Sequence, residues 1–327
     1  MNKICHLQEI IDDAVRRVHE MMDSSVPVGL YRPISYSLQA GGKRLRPMLV
    51  LAGYSLFGDK PEEAIPAALA LEIFHNFTLL HDDIMDKAEV RRNRPSVHIR
   101  FSENNAILSG DAMAFLAYRY LLQCRTERLD NVLSLFTETA IGVCEGQQMD
   151  MDFENSMEVS PDEYLEMIRL KSAVLLACAL KSGGLLGGCS ESQAEVLYNA
   201  GINLGLAFQL QDDLLDTFGA DEVFGKKTGG DIVSNKKTYL LVQALLLASP
   251  GQRNELESWI KRPLFGREEK IGAFREIFTQ LGIKELTENK IQYYFGETVK
   301  LIECLGVSTK RKKPLLNLVE ALPGRQS

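Results

Sequence analysis

The sequence predicts an all-α protein built as one large helical bundle. Apolar residues recur with the period of a helix along nearly all of the 327 residues. The alternating apolar and polar runs that mark strands are almost absent. Two long stretches, 64–80 and 196–210, are apolar around much of a helical circumference, which marks them as central helices of a bundle.

Taken in order, helices are expected over 3–22, 33–39, 45–57, 62–86, 103–124, 128–151, 161–182, 192–217, 236–248, 251–260, 267–280, 284–304 and 314–322. The first is charged and amphipathic, so no signal peptide is expected. The helices at 62–86 and 192–217 each run into an acidic signature. Ser160 and Pro161 open the helix at 161–182, as a cap and a first-turn proline do. Gly183-Gly184 and Gly187-Gly188 are expected to close it. Pro250-Gly251 separates the two helices on either side of it. No linker or low-complexity stretch interrupts the series, so residues 1–327 are expected to form a single domain.

Composition narrows the function. At 45% hydrophobic and 25% charged residues the chain is an ordinary globular protein. A net charge of -7 argues against nucleic acid as its main partner. The six cysteines form no CxxC and no metal-like spacing with histidine, so free thiols in a reducing cytosol are expected. The apolar stretch 239–248 contains Gln243 and is too short to cross a bilayer. A cytoplasmic protein without stable membrane insertion is the expectation.

One acidic signature occurs twice: His81-Asp82-Asp83-Ile84-Met85-Asp86, and later Gln211-Asp212-Asp213-Leu214-Leu215-Asp216. In each, the first and third aspartates are four apart and share a helix face. Two carboxylates about 4 Å apart repel by roughly 4 kcal/mol at an effective dielectric near 20, and a helix C-terminus is itself partly negative. A hard cation offsets this, and Mg²⁺ suits oxygen ligands. Carboxylates with several Mg²⁺ ions are a means of gripping a diphosphate. The flanks of the two copies do not repeat, so they read as two helices sharing one cavity.

Cations follow each copy. Arg91 and Arg92 come after the first, in Lys87-Ala88-Glu89-Val90-Arg91-Arg92-Asn93-Arg94-Pro95, and Lys226 and Lys236 come after the second. Arginine's planar fork suits phosphate oxygens. Upstream, Gly41-Gly42-Lys43-Arg44-Leu45-Arg46-Pro47 opens a helix. Its glycines let backbone approach a ligand, a helix N-terminus favours anions, and Lys43 and Arg46 can face the same way. A plain turn and cap would read the same. His75 alone reads as a core histidine, and His81 as a residue that orients a neighbouring carboxylate.

These motifs resemble those of the trans-isoprenyl diphosphate synthases, the polyprenyl synthetase family. The matches are GGKRLRP at 41–47, DDxxD with its RR at 82–92, FQLQDD with LLD at 208–216, GK at 225–226 and NKKTY at 235–239, in family order. The resemblance implies an all-α bundle around a deep central cavity, a homodimer, and a head-to-tail condensation dependent on Mg²⁺, three ions to a site. It implies Asp82, Asp86 and Asp212 as metal ligands supported by Asp83, Asp213 and Asp216. Lys43, Arg46, His75 and Arg92 would hold isopentenyl diphosphate. Arg91, Lys171, Lys226 and Lys236 would hold the allylic diphosphate, with Ser172, commonly threonine in the family, and Gln209 near the reacting carbons. Gly110-Asp111 and Glu145-Gly146-Gln147 also resemble family segments, Gln147 serving either the site or helix packing. Arg325 matches a C-terminal arginine that helps close the isopentenyl site. The basic run Lys310 to Lys313 is expected to be a solvated loop.

Product length should depend on what obstructs the cavity below Asp82. Phe77 occupies the position where the family often places an aromatic floor, and Thr78 leaves more room than a second aromatic would. A product of C15 to C20, with C20 ahead, is the expectation. Two other readings use the same residues. A class I terpene cyclase shares the fold and first DDxxD but usually carries an Asn/Ser/Glu motif in place of the second. A non-catalytic partner subunit of a heteromeric synthase typically loses acidic residues, and both signatures are intact here.

Overall fold

The computed structural model describes residues 3–42, 44–154, 156, 158–219 and 228–322. Helices dominate them, as expected, and strand is confined to the two-residue pair Val90–Arg91 and Arg94–Pro95. The chain divides into two compact units. One comprises Met1–Glu138, Leu175–Asn199 and Ile302–Leu318; the other comprises Thr139–Val174, Ala200–Leu301 and Val319–Ser327.

In the first unit α1 (Lys3–Asp23) buries Leu7, Ile11, Val15, Val18 and Met22, one face at helical spacing. Next come α2 (Val28–Gln39), α3 (Leu45–Ser55) and α4 (Ile65–Met85), the last entered through a 3₁₀ turn at Pro61–Ala64. Only Arg46 of α3 escapes full burial, and α4 buries an unbroken run from Ala67 to Phe74, so both are core helices. After the short α5 (Val97–Arg100), α6 (Glu103–Leu121) is capped by the Ser102 side chain, which accepts from Asn105 N–H. α6 lies so close to α4 that a Cβ on Gly110 would stand 2.2 Å from His81 Nε2.

α7 spans Leu129–Glu154, α9 Val174–Leu186 and α10 Glu191–Phe218. Gly183 and Gly184 do not end a helix as expected. They lie inside α9, where a Cβ on Gly183 would meet Val50 O at 2.1 Å and one on Gly184 would meet Leu197 Cδ1 at 2.3 Å. Their lack of a side chain serves close packing. Gly188, at φ 91°, follows the helix end as a glycine should. The basic run Lys310–Lys313 is not a loop either: it lies in the helix Thr309–Glu320. Arg311 there donates to Asp59 Oδ1 at 2.7 Å and to Gly58 O at 3.1 Å, which holds this helix start where sequence alone places solvated charge.

In the second unit α8 (Pro161–Ile168) opens with a complete capping box between Ser160 and Glu163. A π-helical turn, Arg169–Ala173, then replaces the expected uninterrupted α-helix. The helix expected at 236–248 is Tyr239–Leu247, and a separate helical turn, Gly230–Val233, precedes it, the two parted at Asn235, whose φ is 60°. Leu240, Leu241, Leu245, Leu256, Ile271, Phe274 and Phe278 form this unit's core, against which Leu214 and Phe218 of α10 pack.

Candidate active site

In the first unit α4 ends at its acidic signature. Asp86 is the C-cap, its N–H bonded to Asp82 O at 2.9 Å. The three aspartates differ in environment. Asp83 is 3% exposed, Asp82 is half-buried and Asp86 is exposed. Asp83 Oδ1 accepts from Arg91 Nε at 2.8 Å and from Arg91 Nη2 at 2.6 Å. Burial works against the Arg91 charge, but the hydrogen bond to Asp83 and the charges of Asp83, Asp82 and Asp86 outweigh it, so its pKa is raised.

The two-residue hairpin delivers that arginine. Its turn residues Arg92 and Asn93 have φ of 52° and 60°, the signs of a type I′ turn. Asparagine tolerates this; arginine does so at a cost. Arg92 donates to Gly41 O, and a Cβ on Gly42 would stand 2.8 Å from Arg92 Nη2. Gly42 therefore makes room for a guanidinium that the Gly41 carbonyl accepts from, a use that local sequence did not disclose. Arg44, also left-handed at φ 47°, pairs with buried Glu72 and donates to Leu38 O at 2.8 Å. Asn76 Nδ2 donates to Glu72 Oε1 at 2.9 Å. Arg44, Glu72 and Asn76 were not anticipated as a cluster, since they come from two helices and only the fold brings them together.

His75 lies in this basic setting, and its pKa is pushed well below 6.5, first by burial and then by the charges of Arg46, Arg92, Arg91 and Arg44. It is a neutral imidazole near pH 7. Asp83, Arg91, Arg92 and Arg94 share a cleft with Tyr36 and Asn76. Phe77 packs against His81 at 4.8 Å and against Phe74 at 5.2 Å between ring centroids, and Thr78 Oγ1 donates to His75 O at 2.8 Å. Lys43 lies outside the described residues.

In the second unit the signature again buries its middle aspartate, but with different partners. Asp213 is 3% exposed, and Asp212 and Asp216 are half-buried. Asp213 accepts from three neutral donors: Tyr164 Oη, Gln209 Nε2 at 3.1 Å and Tyr239 N–H at 3.3 Å. Burial dominates over these bonds and over the Lys236 charge, lifting its pKa to about 6. Gln209 Oε1 accepts from Ser172 Oγ at 3.0 Å, so Gln209 is fixed at both ends. Asp216 Oδ2 accepts from Asp231 N–H at 3.0 Å. Burial, then the Asp216 charge, raises the Asp231 carboxyl to about 7. Lys171, in the π turn, contacts Asp150 Oδ2 at 2.5 Å, and Lys236 lies 3.9 Å from the same oxygen. Tyr164, Asp150 and Asp231 were missed, because nothing local distinguishes them. Lys226 and Arg325 fall outside the described residues.

The donor set fits Mg²⁺. The middle aspartates are held by protein donors, while the outer ones are less buried. Among the described residues no three His, Cys, Asp or Glu side chains converge as a metal cage. Mg²⁺ does not need one: it binds through one or two carboxylates and takes its other oxygens from phosphate and water.

The sequence profile described as polyprenyl synthetase matches residues 27–279. The geranylgeranyl diphosphate synthase of Methanosarcina mazei is 35% identical over 332 aligned positions, covering 99% of this chain and 96% of that one. The geranylfarnesyl diphosphate synthase of Natronomonas pharaonis is 39% identical over 259 residues, 74% of this chain and 75% of that one. Among solved structures, a geranylgeranyl pyrophosphate synthase superposes with a TM-score of 0.93 at 41% identity, covering 100% of both chains. The all-α fold is that of these prenyl synthases.

Proposed function

Because the chain belongs to the polyprenyl synthetase family, we propose that it joins isopentenyl diphosphate head-to-tail to an allylic diphosphate and releases a short trans-prenyl diphosphate, C20 ahead of C15. One observation carries this reading. In both acidic signatures the middle aspartate is buried and held by the protein, while Asp82 and Asp212 stay half-buried. That division suits a site whose outer carboxylates serve a ligand.

Asp82 and Asp86 on α4 and Asp212 on α10 would hold Mg²⁺, three ions in all, which when bound supplies positive charge to the departing diphosphate. Asp83, Asp213 and Asp216 would keep the two helix ends in shape. Lys43, Arg46 and Arg92 would grip the diphosphate of isopentenyl diphosphate, with neutral His75 adding a hydrogen bond rather than a charge. Lys171, Lys226, Lys236 and the remainder of the Arg91 fork would hold the allylic diphosphate. Such fixed cations favour charge that grows as the C–O bond breaks. The oriented Gln209 amide and the Ser172 hydroxyl would face the allylic cation. The isopentenyl double bond attacks that cation, and the departing diphosphate takes the proton, so no enzymic His-Asp base is required. Apolar walls exclude water that would quench the cation.

The names of the relatives and the position of Phe77 support a product near C20. A homodimer in the cytoplasm is the form we assign. α6 presents Leu108 and Phe115 to solvent at 59% and 75% exposure, with Leu122 at 60% just past its end, a spacing of seven that a second copy would cover. A monomer in sedimentation equilibrium would count against this. Among the described residues no helix is long and apolar enough to cross a membrane.

The test is turnover of labelled isopentenyl diphosphate with Mg²⁺ and each of dimethylallyl, geranyl and farnesyl diphosphate, products sized by mass. Geranylgeranyl diphosphate is the expected end product. No product from the purified chain alone would favour a partner subunit, and a cyclic hydrocarbon would favour a terpene cyclase.

A further inference from the structure

We propose that Asp150 is a positioning residue: its carboxylate holds the ammonium groups of Lys171 and Lys236 in register for one diphosphate. The inference rests on the reaction assigned above and concerns a residue that neither acidic signature contains. Asp150 is 9% exposed and sits on α7, whose face toward the π turn is built from Gly142, Gly146 and Asp150, spaced four apart. The three make graded contact. A Cβ on Gly142 would meet Leu170 Cδ2 at 3.5 Å, and one on Gly146 would meet Lys171 N at 2.2 Å. Glycine at 146 thus brings helix against backbone, and one turn later the Asp150 carboxylate meets Lys171 Nζ at 2.5 Å.

The π turn has a reason on this geometry. It carries Lys171 at the point of closest approach, and such turns recur at functional sites. Lys236 arrives from a separate segment, just after the left-handed Asn235, and its Nζ lies 3.9 Å from the same carboxylate oxygen. Two lysines on flexible stems would otherwise sample many positions. A buried anion shared by both narrows that range before a ligand arrives, which is how a preorganised cation pair gains over a mobile one.

The test is calorimetric titration of the full-length chain and its variants with magnesium diphosphate, followed by turnover of geranyl and isopentenyl diphosphates. Asp150→Asn should weaken diphosphate binding and lower kcat about tenfold, the loss of one charge-assisted hydrogen bond. Asp150→Glu keeps the charge on a longer arm and should retain more of both than Asn does. KM for isopentenyl diphosphate should stay within about twofold, because the two lysines serve the other substrate. A packing role inverts the order, since asparagine has the shape of aspartate and glutamate does not. An Asn variant equal to wild type, or better than the Glu variant, overturns the proposal. A chain that binds diphosphate in the expected order yet turns nothing over would sink the assigned reaction and support the positioning role.

Discussion

The ends of α4 and α10 carry the same aspartate spacing on different foundations. At the first, buried Asp83 is matched by a full positive charge, Arg91, through two hydrogen bonds to one oxygen. At the second, Asp213 is equally buried but is held by a phenol, an amide and a backbone N–H. Neutral donors stabilise a carboxylate less than a cation does, so burial prevails and its pKa rises to about 6. A motif that looks duplicated in sequence is therefore an ion pair in one place and a neutral hydrogen-bond cluster in the other. The difference predicts where the two ends respond alike and where they diverge.

They should respond alike when the outer carboxylate is removed. Asp82→Ala and Asp212→Ala each take away a proposed metal ligand, and turnover should fall at least about a thousandfold, the upper range for losing one preorganised electrostatic group. Thermal unfolding should stay close to wild type, because both residues are half-buried and neither is the buried anchor of its helix end. Turnover within tenfold of wild type in either variant would remove that residue from the metal set.

They should diverge when the middle carboxylate becomes an amide. Asp83→Asn leaves the Arg91 fork facing a neutral group, and removing one partner of a largely buried ion pair costs about 2–4 kcal/mol. Asp213→Asn faces only neutral donors and relieves the burial of a carboxylate, which offsets its weakened hydrogen bonds, so its stability should stay within about 1 kcal/mol of wild type at neutral pH. Denaturant midpoints of the two variants, compared side by side, check this. Equal losses would mean that the charge difference between the two ends has no energetic weight.

Much of this fold was legible. The helical period, the cap and first-turn proline at Ser160-Pro161 and the break at Pro250-Gly251 placed most helices within a few residues. The acidic signatures were legible because their chemistry is local. What stayed hidden is produced by contact between distant segments. Gly183 and Gly184 looked like a stop, since a glycine pair usually is one, and only Val50 O and Leu197 beyond them reveal their packing role. Gly42 gains its meaning from Arg92, fifty residues further on. The π turn at Arg169–Ala173 has no distinguishing composition, and Asp150 is one acid among many until Lys171 and Lys236 arrive beside it.

A pH titration sharpens the same comparison. The folded-state pKa of Asp213, about 6, lies above its ordinary value of 3.8. Between those values the folded chain holds a proton that the unfolded chain has released, so this group's contribution falls as pH rises through that window. The expected loss is on the order of 2–3 kcal/mol. Unfolding in metal-free buffer from pH 4 to pH 7 should show this slope in wild type and a shallower one in Asp213→Asn. The raised Asp231 carboxyl adds a slope of its own in both chains, a smaller one in Asp213→Asn, which removes one of the charges that raise it. Parallel profiles would mean that Asp213 ionises normally despite its burial.

The smallest expected effect concerns what lies upstream of each signature. Five and four residues before Asp82 stand Phe77 and Thr78; at the same distances before Asp212 stand Ala207 and Phe208. Five helical residues rise about 7.5 Å, so a ring at the first of these positions would block a growing chain early. The Phe77 ring is braced by His81 on one side and Phe74 on the other, and Phe74 in turn meets Phe136 at 5.0 Å. A ring held this way resists being pushed aside, which is what an obstruction requires. Phe77→Ala should therefore lengthen the product by one or two five-carbon units while changing kcat for the first condensation less than about threefold, since chain length is set after the chemistry has begun. The mass distribution of products from geranyl diphosphate reads this directly. An unchanged distribution would exclude Phe77 as the floor and move the search to other residues lining the first unit.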